Sequence, residues 1–192
     1  MAKIELSPDE VSALSSVWPG MGGAGCIYVG GYLIVPDEHL ATAEGYLPGL
    51  AEAALTEAKV RARSLIIARA DAITAPIMSR YPEAERAGWD KREAEARAII
   101  AASNKAQAVA ATTIIKALAA AAGEDTAATV ARAETIAAKA DEFAAISVAV
   151  EIMRDQALEA IDVVSAAEDM PATLEELNDQ ANMLAAQYGL AQ

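Results

Sequence analysis

The sequence predicts a mainly α-helical protein: a helical bundle of long, coiled-coil-like helices with a small N-terminal module of short helix and β-hairpin. Three observations predict this class. First, hydrophobic residues make up 54% of the 192-residue chain but aromatics only 4%, because alanine supplies much of the apolar content. Alanine is the best helix former and buries little area, so helix propensity is high while each residue adds little to a core. Second, Ile146, Val150, Met153, Ala157, Ile161 and Val164 recur at steps of four, three, four, four and three, the a/d rhythm of a bundle or coiled-coil seam. Third, two β-prone runs flank Gly30-Gly31 near the N-terminus.

Taken in order, Ser7-Pro8-Asp9-Glu10 is a helix start. Ser7 and Glu10 can satisfy each other's backbone N–H groups as a capping box, and Pro8 sits where a missing N–H costs nothing. Trp18-Pro19-Gly20 closes this helix. A glycine-rich turn follows, and then Cys26-Ile27-Tyr28-Val29 and Tyr32-Leu33-Ile34-Val35 form a hairpin across the two glycines. Both runs are apolar on both faces, and a lone hairpin is not stable in water. Ile27, Val29, Tyr32, Leu33 and Val35 are therefore the candidate partner-binding residues.

Pro36-Asp37-Glu38 opens a helix capped by Asp37, which Gly45 and Pro48 interrupt. Helix is expected over 48–79, over 82–102, over 112–122 with Gly123 as its stop, and over 125–168. Thr173-Leu174-Glu175-Glu176 reads as a second capping box, starting a terminal amphipathic helix anchored by Leu177, Met183 and Leu184. This gives a module at 1–46, an alanine-rich helical domain at 47–168 and a C-terminal helix at 169–192. The seam of Ile146, Val150, Met153, Ile161 and Val164, with Tyr81 and Trp89, is the candidate helix-packing set, buried within one chain or between copies.

A formal charge of −13 keeps the chain in solution and disfavours phosphate backbones and anionic membranes. No nucleic-acid or membrane partner is expected. The apolar run from Cys26 to Val35 is too short to span a bilayer, and Met1–Glu5 turns polar at once, unlike a signal peptide. Synthesis in a cytoplasm is expected. One cysteine excludes an internal disulfide, and the single His39 has no Cys or His companion for a structural zinc site.

Gly20-x-Gly22-x-x-Gly25 matches the dinucleotide-binding pattern by letter only. That fingerprint follows a strand and opens a helix, whereas these glycines follow a helix and precede a strand. Asp37-Glu38-His39 resembles a catalytic cluster, but neighbours on a helix do not share a face, and acids at a helix start are ordinary. Cys26 has no basic neighbour to lower its pKa. No nucleophile elbow or phosphate loop is present. The expectation is a protein without catalytic residues or cofactor.

One stretch is distinctive: Tyr81-x-x-x-Glu85-x-x-x-Trp89, leading into Glu93-Ala94-Glu95-Ala96. Ile114-Ile115-Lys116-Ala117-Leu118-Ala119 follows, then Gly123-Glu124-Asp125, then a helix carrying Val130, Ile136, Ala137, Lys139, Ala140 and Phe143. Over about residues 50–167 this order resembles a helical domain of unknown function found at the C-terminal ends of tailed-bacteriophage tail and tail-fibre proteins. The Tyr81/Glu85/Trp89 spacing would place all three on one helix face. The resemblance implies a virion structural protein of the tail, baseplate or tail fibre, assembling with other phage tail proteins and with copies of itself. The alternative is a tail-fibre assembly chaperone absent from the mature particle. The family carries no catalytic residues to transfer.

Overall fold

The structure, a computed structural model, describes residues 1–190. Helix takes up 74% of it and the remaining regular structure is a small antiparallel sheet at the N-terminus, so the chain is mainly α with a β-hairpin element. Strand β1 (Ala2–Glu5) precedes α1 (Pro8–Val17), whose Ser7–Glu10 capping box forms as expected: Glu10 N donates to Ser7 Oγ at 3.2 Å and Ser7 N to Glu10 Oε2 at 2.8 Å. Strands β2 (Ile27–Val29) and β3 (Tyr32–Val35) make the hairpin, and both Gly30 and Gly31 carry positive φ (59° and 84°). A two-residue turn of the I′ kind requires this, and glycine supplies it without a Cβ clash.

The hairpin does not stand alone. β1 adds to it in the order β1-β3-β2, so β3 is central, with Lys3 opposite Ile34 and Glu5 opposite Tyr32. This strand is not among the elements that the sequence predicts. Its signal is the alternation Ala2-Lys3-Ile4-Glu5, in which Ala2 and Ile4 are partly buried and Lys3 and Glu5 exposed.

A 3₁₀ turn, Asp37–His39, leads into α2 (Leu40–Tyr46). Asp37 makes no cap there; its carboxylate instead takes the N-terminal ammonium of Met1 at 2.7 Å. Gly45 lies inside α2, and the break falls at Gly49 (φ 83°), before α3 (Leu50–Met78). The helix expected over 82–102 is two pieces, α4 (Glu83–Arg86) and α5 (Trp89–Ala101), parted at Gly88, a poor helix former. Asn104 caps an unexpected α6 (Lys105–Ala111), its side chain accepting from Gln107 N at 3.1 Å. Then come α7 (Ile114–Ala122), stopped by left-handed Gly123, and α8 (Thr126–Val163).

Helix α8 ends short of the expected Glu168, at a β-branched pair, Val163-Val164, and Ala166 is extended. After a second 3₁₀ turn, Ala167–Asp169, helix α9 (Met170–Gln187) begins ahead of the expected capping box. Thr173 is inside α9 and its hydroxyl donates to the Asp169 carbonyl, so it caps nothing. Met183 is 65% exposed and is no anchor. Leu177, Ala181 and Ala185 are the buried face of α9.

Two compact units replace the expected three-part division: Met1–Ala70 with Met153–Met183, and Asp71–Ile152 with the chain from Leu184 onward. The reason is in the core of the first unit. Leu33 and Val35 from the sheet and Ala13 and Leu14 from α1 share one apolar cluster with α3, α8 and α9 residues. Along α3 the cluster takes Leu50, Ala54, Ala58, Ala62 and Ile66, an every-fourth stripe, and from α8 it takes Ala157 and Ile161. The N-terminal module is thus part of a core completed far along the chain. The second unit has its own cluster of Ala96, Ile99, Ile115 and Ala133.

Candidate interaction surface

The outer face of the sheet holds three of the five residues that the sequence offers for partner binding, Ile27, Val29 and Tyr32. Along each strand, side chains alternate between faces. Leu33 and Val35, 1% and 0% exposed, point inward and are core, which removes them from the five expected partner-binding residues. Ile27, Val29 and Tyr32 point outward and are 59%, 57% and 41% exposed. Register places them in two rows across the sheet: Lys3–Ile34–Ile27 and Glu5–Tyr32–Val29. The inner face is fixed by Leu33, Val35 and Ile4 in the core and by Tyr28, whose hydroxyl donates to the Leu6 carbonyl at 3.0 Å. The apolar outer rows therefore sit on a well-anchored support.

The helix-packing residues divide less sharply. Ile146, Val150 and Ile161 are 3%, 7% and 0% exposed within a single copy, while Met153 and Val164 are half-buried, Val164 just past the end of α8. Tyr81 lies in the turn before α4, not on a helix face with Trp89. The two rings still meet edge to face at 5.2 Å, and Trp89 meets Phe143 of α8 the same way at 5.8 Å. The break at Gly88 lets the chain fold Tyr81 back onto Trp89 without helical spacing.

The other residues of the distinctive stretch are joints of the second unit. Glu85 pairs with Arg92 at 3.1 Å. Glu95, on α5, reaches the start of α7, where its carboxylate accepts from the backbone N–H groups of Thr113 (2.9 Å), Ile114 (2.9 Å) and Ile115 (2.9 Å). Helix N-termini carry unpaired N–H groups and a partial positive charge, so one side chain caps α7 and ties it to α5. Partial desolvation pushes the Glu95 carboxyl up. The backbone donors of Ile115, Thr113 and Ile114, with Lys91 adding, outweigh it and hold the carboxyl below the usual range. At the C-terminal end of α5, Lys105 Nζ donates to the carbonyls of Ile99 (3.1 Å) and Ile100. Asp125 caps α8 through Ala128 N at 2.8 Å. Arg132 grips Glu124 through two nitrogens, which keeps the Glu124 carboxyl below its ordinary pKa.

Groups with possible chemistry are scattered. Among the described residues no three metal-ligating side chains come together, and no helix is long and apolar enough to cross a membrane. A shallow depression along α9 is lined by Ala172, Glu175, Glu176, Asp179, Gln180 and Met183, a run of acids on one helix. His39 is half-buried with its ring edge-on to Trp18 at 6.4 Å, and Trp18 stacks on Tyr46 at 6.0 Å. Partial burial pushes the Cys26 thiol up, away from the reactive thiolate.

Comparison with known protein families, curated proteins and solved structures finds no match in any of the three.

Proposed function

We propose that this chain is a bacteriophage virion structural protein of the tail, baseplate or tail fibre, which mediates subunit assembly and performs no reaction. The observation that carries the reading is the outer face of the sheet. Ile27, Val29 and Tyr32 stand exposed on strands whose opposite face is locked into the core. Exposed apolar side chains grouped on one rigid face are a mark of protein association. The resemblance of residues 50–167 to a domain of phage tail proteins supplies the setting. In the second unit the residues that carry it serve as caps, ion pairs and ring contacts, as a structural module needs.

The test is complementation in vitro. Tails assembled without this chain are incubated with the purified protein, and binding is followed by sedimentation. The wild-type protein should co-sediment with the tails. Ile27→Asp combined with Val29→Asp should not, while its circular dichroism stays like wild type. Equal binding by the variant refutes the role of this face. Binding by neither, with a complex formed only on unfinished fibre protein, would identify an assembly chaperone instead.

A further inference from the structure

The outer face of the sheet carries charge as well as apolar surface, and the charges have an order. Lys3 and Glu5 both lie on edge strand β1, on the same outward face as Ile34, Ile27, Tyr32 and Val29. Lys3 ends one row and Glu5 ends the other. Neither side chain has an ion-pair or hydrogen-bond partner among the described residues.

We infer that this face is self-complementary and that its occupant is the same face of a second copy of the chain. The inference rests on the reading of this face as an assembly surface and names its partner. Two sheets packed face to face lie about 10 Å apart with their strands roughly aligned. A two-fold axis lying between them and running across the strands exchanges the two rows. It sets Ile34 over Tyr32 of the second copy and Ile27 over its Val29. It also sets Lys3 over Glu5 of the second copy, and Glu5 over its Lys3. A two-fold interface must match each residue with its reciprocal, and this arrangement does so with two opposite-charge pairs at one rim and an apolar centre. A sandwich of this kind covers the exposed Ile27, Val29 and Tyr32 of both copies at once.

The patch is small beside a standard interface, which takes roughly 800 Å² from each partner. The pairing is therefore weak between free chains and gains strength where copies are already held close, as in an assembly.

Charge exchange tests it. Self-association of the full chain is measured by sedimentation equilibrium up to millimolar concentration for wild type, Lys3→Glu, Glu5→Lys, their equimolar mixture and the double exchange. Wild type should dimerise. Each single variant should associate roughly tenfold more weakly or less, because both rim pairs become like-charged. The mixture should recover wild-type affinity as a heterodimer, because every pair is again opposite, and the double exchange should recover it within one chain. A general effect of net charge predicts something else: Lys3→Glu makes this acidic chain more negative and Glu5→Lys less so, and only the first would then weaken association. Wild type that stays monomeric at millimolar concentration overturns the inference, as does a mixture no tighter than its components. If the mixture fails to recover while Ile27→Asp with Val29→Asp still loses tail binding, the occupant is another protein and the assembly reading stands without this partner.

Discussion

Replacing Glu95 by alanine should loosen α7 from α5. The carboxylate accepts from three successive backbone N–H groups at Thr113, Ile114 and Ile115. Losing a helix N-cap costs about 0.5–2 kcal/mol. Losing a negative charge at a helix N-terminus costs about 0.3–1 kcal/mol more. Water can reach part of the vacated site because Glu95 is only half-buried, which sets the expected loss near 2 kcal/mol. The assay is native-state hydrogen exchange at residues 113–118. There, that loss appears as roughly thirtyfold faster exchange, since about 1.4 kcal/mol is tenfold. Glu95→Gln keeps an oxygen acceptor and loses the charge, so it should fall between. The effect should also depend on pH. The folded carboxyl titrates below its unfolded value, so its contribution is complete above the unfolded pKa and disappears as pH falls through the folded one. Wild type and Glu95→Ala should converge at acid pH. Exchange unchanged at neutral pH, or a difference that persists unaltered in acid, refutes the assignment of Glu95 as an ionised cap.

Three further outcomes follow from the packing. Trp89→Ala, which removes the edge contacts to Tyr81 and Phe143, should cost about 3 kcal/mol in urea denaturation; a loss under about 1 kcal/mol would make the ring a surface residue. Leu33→Asp buries a charge at a core position and should abolish the near-ultraviolet dichroism and cooperative unfolding of the first unit, whereas Ile27→Asp on the opposite face should shift stability by under about 1 kcal/mol. Ile161→Ala, at a fully buried position beside the alanine stripe of α3, should cost about 2–5 kcal/mol, and a near-neutral result would mean that the helices close up over the gap.

What the sequence made legible was what local chemistry decides. The Ser7–Glu10 box, the Gly30-Gly31 turn, the stop at Gly123 and the seam through Ile146, Val150 and Ile161 could be read because each depends on a few neighbours. What escaped depends on residues far away. Strand β1 is four residues long and exists because β3 offers it an edge. Which face of the hairpin is core could not be read from runs that are apolar on both faces; burial against α1 and α3 decides it. The stripe Ala54-Ala58-Ala62 was masked by the abundance of alanine around it. Glu95 stands in the run Glu93-Ala94-Glu95-Ala96 with nothing local to mark it as a cap, because its partners lie 18 to 20 residues ahead. Helical spacing puts Tyr81 and Trp89 on one face two turns apart; the rings instead touch, across a break in the helix.

The proposal that this chain is a built-in part of a phage tail is tested most directly by quantitative mass spectrometry of purified particles of a phage whose genome carries this sequence. A fixed copy number per particle, compatible with the symmetry of the tail, is the predicted result. Absence from purified particles while the chain is abundant in the infected-cell lysate would contradict it.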